Sequence, residues 1–119
     1  MEKIMILLWL SAMCIAAQGN AYAEPKNLYT ACLKCHQSEQ VPSSLIYRRY
    51  LMRYSTPERI KKAMFFYLKA PEKADSIMPS QFFLKFPMKK KMQMNDMLLK
   101  KYIREYIEQF DVKKRLVLP

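Results

Sequence analysis

Cys32-Leu33-Lys34-Cys35-His36 is the stretch that decides how this chain is read. Two thiols separated by two residues and followed at once by an imidazole form the local pattern at which a haem is attached covalently. Each thiol can form a thioether to one haem vinyl group, and the next residue offers a nitrogen to the iron. No other common chemistry uses all three groups in this way.

The rest of the inventory narrows the choice. The 119 residues include three cysteines and one histidine, and Cys14 lies in an apolar N-terminal stretch expected to be removed, so the mature chain holds only Cys32, Cys35 and His36. A zinc site needs three or four protein ligands, usually from separated pairs, and no second pair is present. A thioredoxin-like dithiol also uses Cys-x-x-Cys, but at a strand-to-helix junction of an α/β domain, and no βαβ pattern runs through this sequence.

The N-terminus supplies a compartment that suits such a group. Lys3 makes a short basic region, residues 4–17 are an almost unbroken apolar run, and Ala21-Tyr22-Ala23 presents small residues at the positions a signal peptidase reads. Residues 1–23 therefore read as a signal peptide cleaved after Ala23, and residues 24–119 as one domain exported to the bacterial periplasm. An uncleaved anchor is the competing reading, against which the run is shorter than the roughly 20 apolar residues that span a bilayer. A lipid-modified Cys14 is disfavoured by Met13 before it and by a cut inside the apolar run.

A domain of this size buries a modest fraction of its surface and often needs a staple, which covalent haem would provide. Gly19, the only glycine, is lost with the signal, which excludes a phosphate-cradling glycine loop and tight glycine turns. The remainder reads as an all-α fold. Pro25 can sit in the first turn of a helix running through Leu28, Tyr29 and Cys32 to the motif. After a polar loop to Pro42, Ser43 or Ser44 can cap a helix with Leu45, Ile46, Tyr50 and Leu51. Thr56-Pro57-Glu58 combines a cap, a first-position proline and a first-turn acid, ahead of Ile60, Met64, Tyr67 and Leu68; Pro71 closes that helix. Residues 70–93 are irregular. Asn95 then caps an amphipathic helix whose Leu99, Tyr102, Ile103, Tyr106 and Phe110 form one stripe.

This order resembles the class I c-type cytochromes, small monohaem electron carriers. The resemblance is carried by Leu28-Tyr29 before the Cys32–His36 motif, by Tyr67-Leu68-Lys69-Ala70-Pro71, by Ile77-Met78-Pro79 and by Tyr102-Ile103 with Tyr106-Ile107 in the last helix. It implies a small helical domain wrapped around one covalent haem c, with crossed terminal helices, thioethers at Cys32 and Cys35, and His36 as proximal iron ligand. It also implies a distal methionine in a loop before the last helix. The chain departs from the pattern in lacking mature tryptophan and the glycine that often follows the motif.

With a single histidine, one chain cannot make a bis-histidine haem, so a methionine thioether is the natural sixth ligand. The mature candidates are Met52, Met64, Met78, Met88, Met92, Met94 and Met97. Met52, Met64 and Met97 fall on expected helices and read as core packing, and Met92 and Met94 as flexible filling. Met78, held by Pro79 in a loop, is the choice, and Met88 beside Pro87 the runner-up. The Pro42 carbonyl is a candidate partner for the second ring nitrogen of His36, weighed against its simply ending the loop. Arg48, Arg49, Arg53 and Tyr50 are candidates for the propionates, against a solvated basic face as the plainer reading.

The net charge is +11, and losing Glu2 and Lys3 with the signal leaves it unchanged. A small carrier this basic is drawn to redox partners with acidic docking surfaces and to anionic lipid headgroups. No nucleic-acid-binding signature accompanies the charge. The expected function is periplasmic one-electron transfer through a single haem with His/Met ligation, not enzymatic turnover. The competing readings are a haem enzyme or ligand sensor with an open sixth position, and a haem subunit of a larger respiratory complex that docks through residues 111–119.

Overall fold

Three capped or proline-initiated segments build the body of the protein, seen in a computed structural model that describes residues 22–115. The expected signal peptide, up to residue 21, and the last four residues of the tail lie outside the described residues. Among the described residues every regular element is helical.

Helix α2 (Ser43–Tyr54) follows Pro42, helix α3 (Pro57–Lys69) follows Thr56, and helix α5 (Asp96–Phe110) follows Asn95. Thr56 Oγ1 accepts from the Arg59 amide at 3.4 Å and Asn95 Oδ1 accepts from the Leu98 amide at 2.9 Å. Each cap satisfies one of the amides that a helix start leaves without an intrahelical partner. Pro57 and Glu58 occupy the first turn of α3, and the helix ends at Ala70 ahead of Pro71.

The inward stripes are Tyr47 and Tyr50 on α2, Ile60 and Met64 on α3, and Leu99, Tyr102, Ile103, Tyr106 and Ile107 on α5. They recur at three- and four-residue spacing, so each helix turns one apolar side to the others. Helix α3 packs on both α5 and α2, and α2 on α5. Met94, with no exposed surface, fills the core just before α5 begins. Full burial of a side chain such as Ile60 contributes about 1.5–3 kcal/mol, so this shared core is what holds the three helices together.

Some details differ from the sequence reading. Met52 and Met97 lie on helices but are 78% and 83% exposed, because they fall on the outer faces of α2 and α5, so they are not core residues. Phe110 is half-buried at the end of its stripe, and Ile107 takes the buried place. Ser43 is the first residue of α2 and caps nothing with its side chain; Pro42 stands at the cap position.

Pro25 lies ahead of the first helix instead of in its opening turn, and its carbonyl accepts from the Tyr102 hydroxyl at 2.8 Å. Asn27 and Thr30 bond reciprocally: the Thr30 amide reaches Asn27 Oδ1 at 2.9 Å, and the Asn27 amide reaches Thr30 Oγ1 at 3.3 Å. The chain then makes a π-helical turn (Tyr29–Leu33), closed by the Lys34 amide on the Tyr29 carbonyl, and continues as α1 (Lys34–Ser38). Leu28, Ala31, Cys32 and Leu33 pack on the core, and Leu28, Tyr29 and Leu33 face Glu105 and Glu108 of α5 across an open groove. Between α3 and α5 the chain forms only a 3-10 turn (Lys73–Asp75) and helix α4 (Phe82–Lys85), tied back where the Met92 amide meets the Leu68 carbonyl at 2.8 Å.

Candidate cofactor-attachment site

Cys32 sits within the π-helical turn, and Cys35 and His36 sit on α1, so the motif occupies one unbroken helical stretch. One-turn π segments inside helices occur frequently at functional sites. Both thiols are free, Cys32 half-buried against the core and Cys35 exposed.

The backbone after the motif turns back sharply. Gln40 adopts φ 54°, the Gln40 amide donates to the Gln37 carbonyl at 3.1 Å, and the Val41 amide donates to the His36 carbonyl at 2.9 Å. This is a Schellman ending, in which the two bonds satisfy carbonyls left free by the helix terminus, with glutamine in the left-handed position that glycine usually fills. The turn delivers Pro42 and the start of α2 to the side of His36. There the imidazole Nδ1 lies 2.9 Å from Ser43 Oγ. The Pro42 carbonyl is occupied by the Leu45 and Ile46 amides, so it ends the loop and starts α2.

Helix α5 closes the same corner. Tyr106 donates its hydroxyl to the Ser43 carbonyl at 2.9 Å, and its ring meets the His36 ring edge-on with centroids 5.8 Å apart. Burial holds the Tyr106 phenol well above its ordinary range, so it stays a neutral donor.

The electrostatics define which chemistry each group can do. Burial pushes the Cys32 thiol up to about 11, outweighing the lowering effect of the Lys89 charge. A thiol so placed is protonated at neutral pH, whereas reactive Cys-x-x-Cys pairs depend on a depressed thiol pKa. Burial first, and the Lys89 charge second, pull the His36 imidazole below its ordinary value of 6.5. The ring is therefore neutral at pH 7 and retains a lone pair for a metal.

Among the described residues no three His, Cys, Asp or Glu side chains converge as a cage for a bare metal ion. The donor set fits a haem: two free thiols three residues apart on one helix, and a neutral imidazole whose Nδ1 is engaged while Nε2 makes no hydrogen bond to a described residue.

Met78 is half-buried between Ser76 and Pro79, its amide bonded to Ser76 Oγ at 3.1 Å. Met88 is half-buried after Pro87 and precedes Lys89, the residue whose charge acts on both Cys32 and His36. Arg53 donates to the Ser76 carbonyl at 3.3 Å and lies over the Tyr54 ring, and Arg48 is exposed. Tyr50 is in the core. The Arg49 Nε is enclosed without a hydrogen bond among the described residues. Nothing in the sequence marks Ser43 and Tyr106 as neighbours of His36. Serine after proline reads as a helix cap and tyrosine on an apolar stripe reads as core; only the left-handed turn at Gln40 brings them to the ring.

The chain matches no protein-family model, no curated protein and no solved structure.

Proposed function

We propose that Cys32 and Cys35 hold one haem c through thioethers, that His36 is its proximal iron ligand, and that the protein is a small electron carrier resembling the class I c-type cytochromes. The observation that carries this reading is the motif's geometry: two free thiols on one helical stretch beside a neutral imidazole with Nδ1 engaged and Nε2 making no hydrogen bond to a described residue. When bound, the haem supplies one-electron cycling of iron between Fe(II) and Fe(III). The chain's own part is to fix the ring of His36 and to shield it from water.

Met78 is the proposed distal ligand, supported by its loop position before Pro79 and by the absence of a second histidine. His/Met ligation raises the potential and leaves no iron position for substrate, which makes the protein a carrier and not an enzyme. Met88 competes, because its neighbour Lys89 acts electrostatically on both Cys32 and His36.

Export to the periplasm belongs to the same reading, since residues 1–23 have the form of a signal peptide. Support comes from the start of the domain: Glu24 accepts from Asn95 Nδ2 at 2.9 Å and the Pro25 carbonyl from Tyr102, so the contacts of α5 reach the residue directly after the proposed cut. The partners proposed are redox proteins with acidic docking surfaces, with anionic headgroups as a peripheral attraction.

Optical spectra of the protein produced with haem-attachment machinery test this. The ferric thioether-to-iron band at the red end of the spectrum should be present, lost in Met78→Ala and kept in Met88→Ala. The reverse pattern makes Met88 the ligand. A protein without the band whose ferrous form binds carbon monoxide has an open iron and is not the carrier proposed.

A further inference from the structure

We propose that Ser43 is the positioning residue of the proximal imidazole, its hydroxyl accepting from Nδ1–H of His36 so that Nε2 is left as the nitrogen that faces iron. This role rests on the covalent-haem reading of the motif. A histidine that ligates through Nε2 must carry its proton on Nδ1, and that proton needs an acceptor to fix the tautomer and the ring plane. The start of α2 presents three acceptors on the side of His36: the Pro42 carbonyl, the Ser43 carbonyl and the Ser43 hydroxyl. The first is taken by the Leu45 and Ile46 amides and the second by Tyr106, while Ser43 Oγ stands 2.9 Å from Nδ1.

The hydroxyl is itself held in place. Ser43 is the first residue of α2, its backbone is pinned by the Tyr106 hydroxyl at 2.9 Å, and the Tyr106 ring abuts the His36 ring from α5. The turn at Gln40 fixes the other side, through the Val41 amide on the His36 carbonyl. Ring, acceptor and the support of the acceptor thus come from α1, α2 and α5, so the orientation of the imidazole is set by how these three helices meet. A serine hydroxyl is also a weaker acceptor than a carboxylate. It leaves less anionic character on the imidazole and so favours Fe(II) more than a carboxylate partner would.

The test uses the mature holoprotein and its Ser43→Ala, Ser43→Thr and Tyr106→Phe variants, with two readouts: solvent exchange of the His36 Nδ1–H in the ferrous state by NMR, and the midpoint potential. Ser43→Ala should speed that exchange at least tenfold and shift the potential upward with the haem still covalently attached. Ser43→Thr, which keeps the hydroxyl, should restore both values, and Tyr106→Phe should fall between. Exchange and potential that are the same in wild type and Ser43→Ala, in a protein that carries haem, overturn the role of Ser43 and leave the haem reading intact. Recovery of wild-type protein with no covalent haem overturns the haem reading, and the positioning role with it.

Discussion

At Gln40 a side chain stands in the left-handed region, with φ 54°, at the turn that brings α2 to His36. A left-handed conformation costs a non-glycine residue roughly 1–2 kcal/mol, and glycine gives back about 0.5–1 kcal/mol through its greater freedom in the unfolded chain. Gln40→Gly should therefore stabilise the protein by about 0.5–1 kcal/mol in a thermal melt. The sequence could not show this turn: with Gly19 the only glycine, the usual marker of such an ending is missing from the motif and the residues after it. His36 gives a second residue-level expectation, for the chain before haem attachment. Its folded pKa lies below the ordinary 6.5, so near that pH the unfolded chain binds more protons than the folded one. Stability should rise with pH through the window below and up to 6.5, and fall as pH drops through it. Urea midpoints on either side of that pH should show the slope, and His36→Gln should flatten it; an equal slope in both proteins would assign it to other groups.

At the level of elements, the starts of α3 and α5 were legible because they rest on local chemistry: a side-chain oxygen accepting an amide three residues on, with proline or an acid in the first turn. The two caps are unequal. Asn95 bonds the Leu98 amide at 2.9 Å and also reaches Glu24, whereas Thr56 holds the Arg59 amide at 3.4 Å. Asn95→Ala should cost about 1–2 kcal/mol and Thr56→Ala about 0.5 kcal/mol, read from chemical denaturation. What stayed hidden was non-local. The π-helical turn that carries Cys32 has no residue signature, and Ser43 reads as a cap because its partner His36 comes to it only through the intervening turn. The motif itself was plain from Cys32, Cys35 and His36, while the face each methionine presents was not: Met52 and Met97 point outward and Met94 fills the core.

At the scale of the molecule, the described residues form a helical body of α2, α3 and α5 with the motif helix against α5, and periodicity alone was enough to anticipate most of its core. Under the proposed function, the +11 charge would act on encounter and not on chemistry. Electron transfer to an acidic partner should slow as ionic strength rises, because screening shortens the reach of steering charges. Rates that stay flat with salt would show that the charge is not used in docking. The central claim, that this chain holds haem covalently, is tested most directly by the intact mass of the exported protein after denaturation and acid-organic extraction. The mass should equal that of residues 24–119 plus one haem, and Cys32→Ala combined with Cys35→Ala should lose the haem to the solvent phase. A colourless native protein with the mass of the bare polypeptide would contradict it.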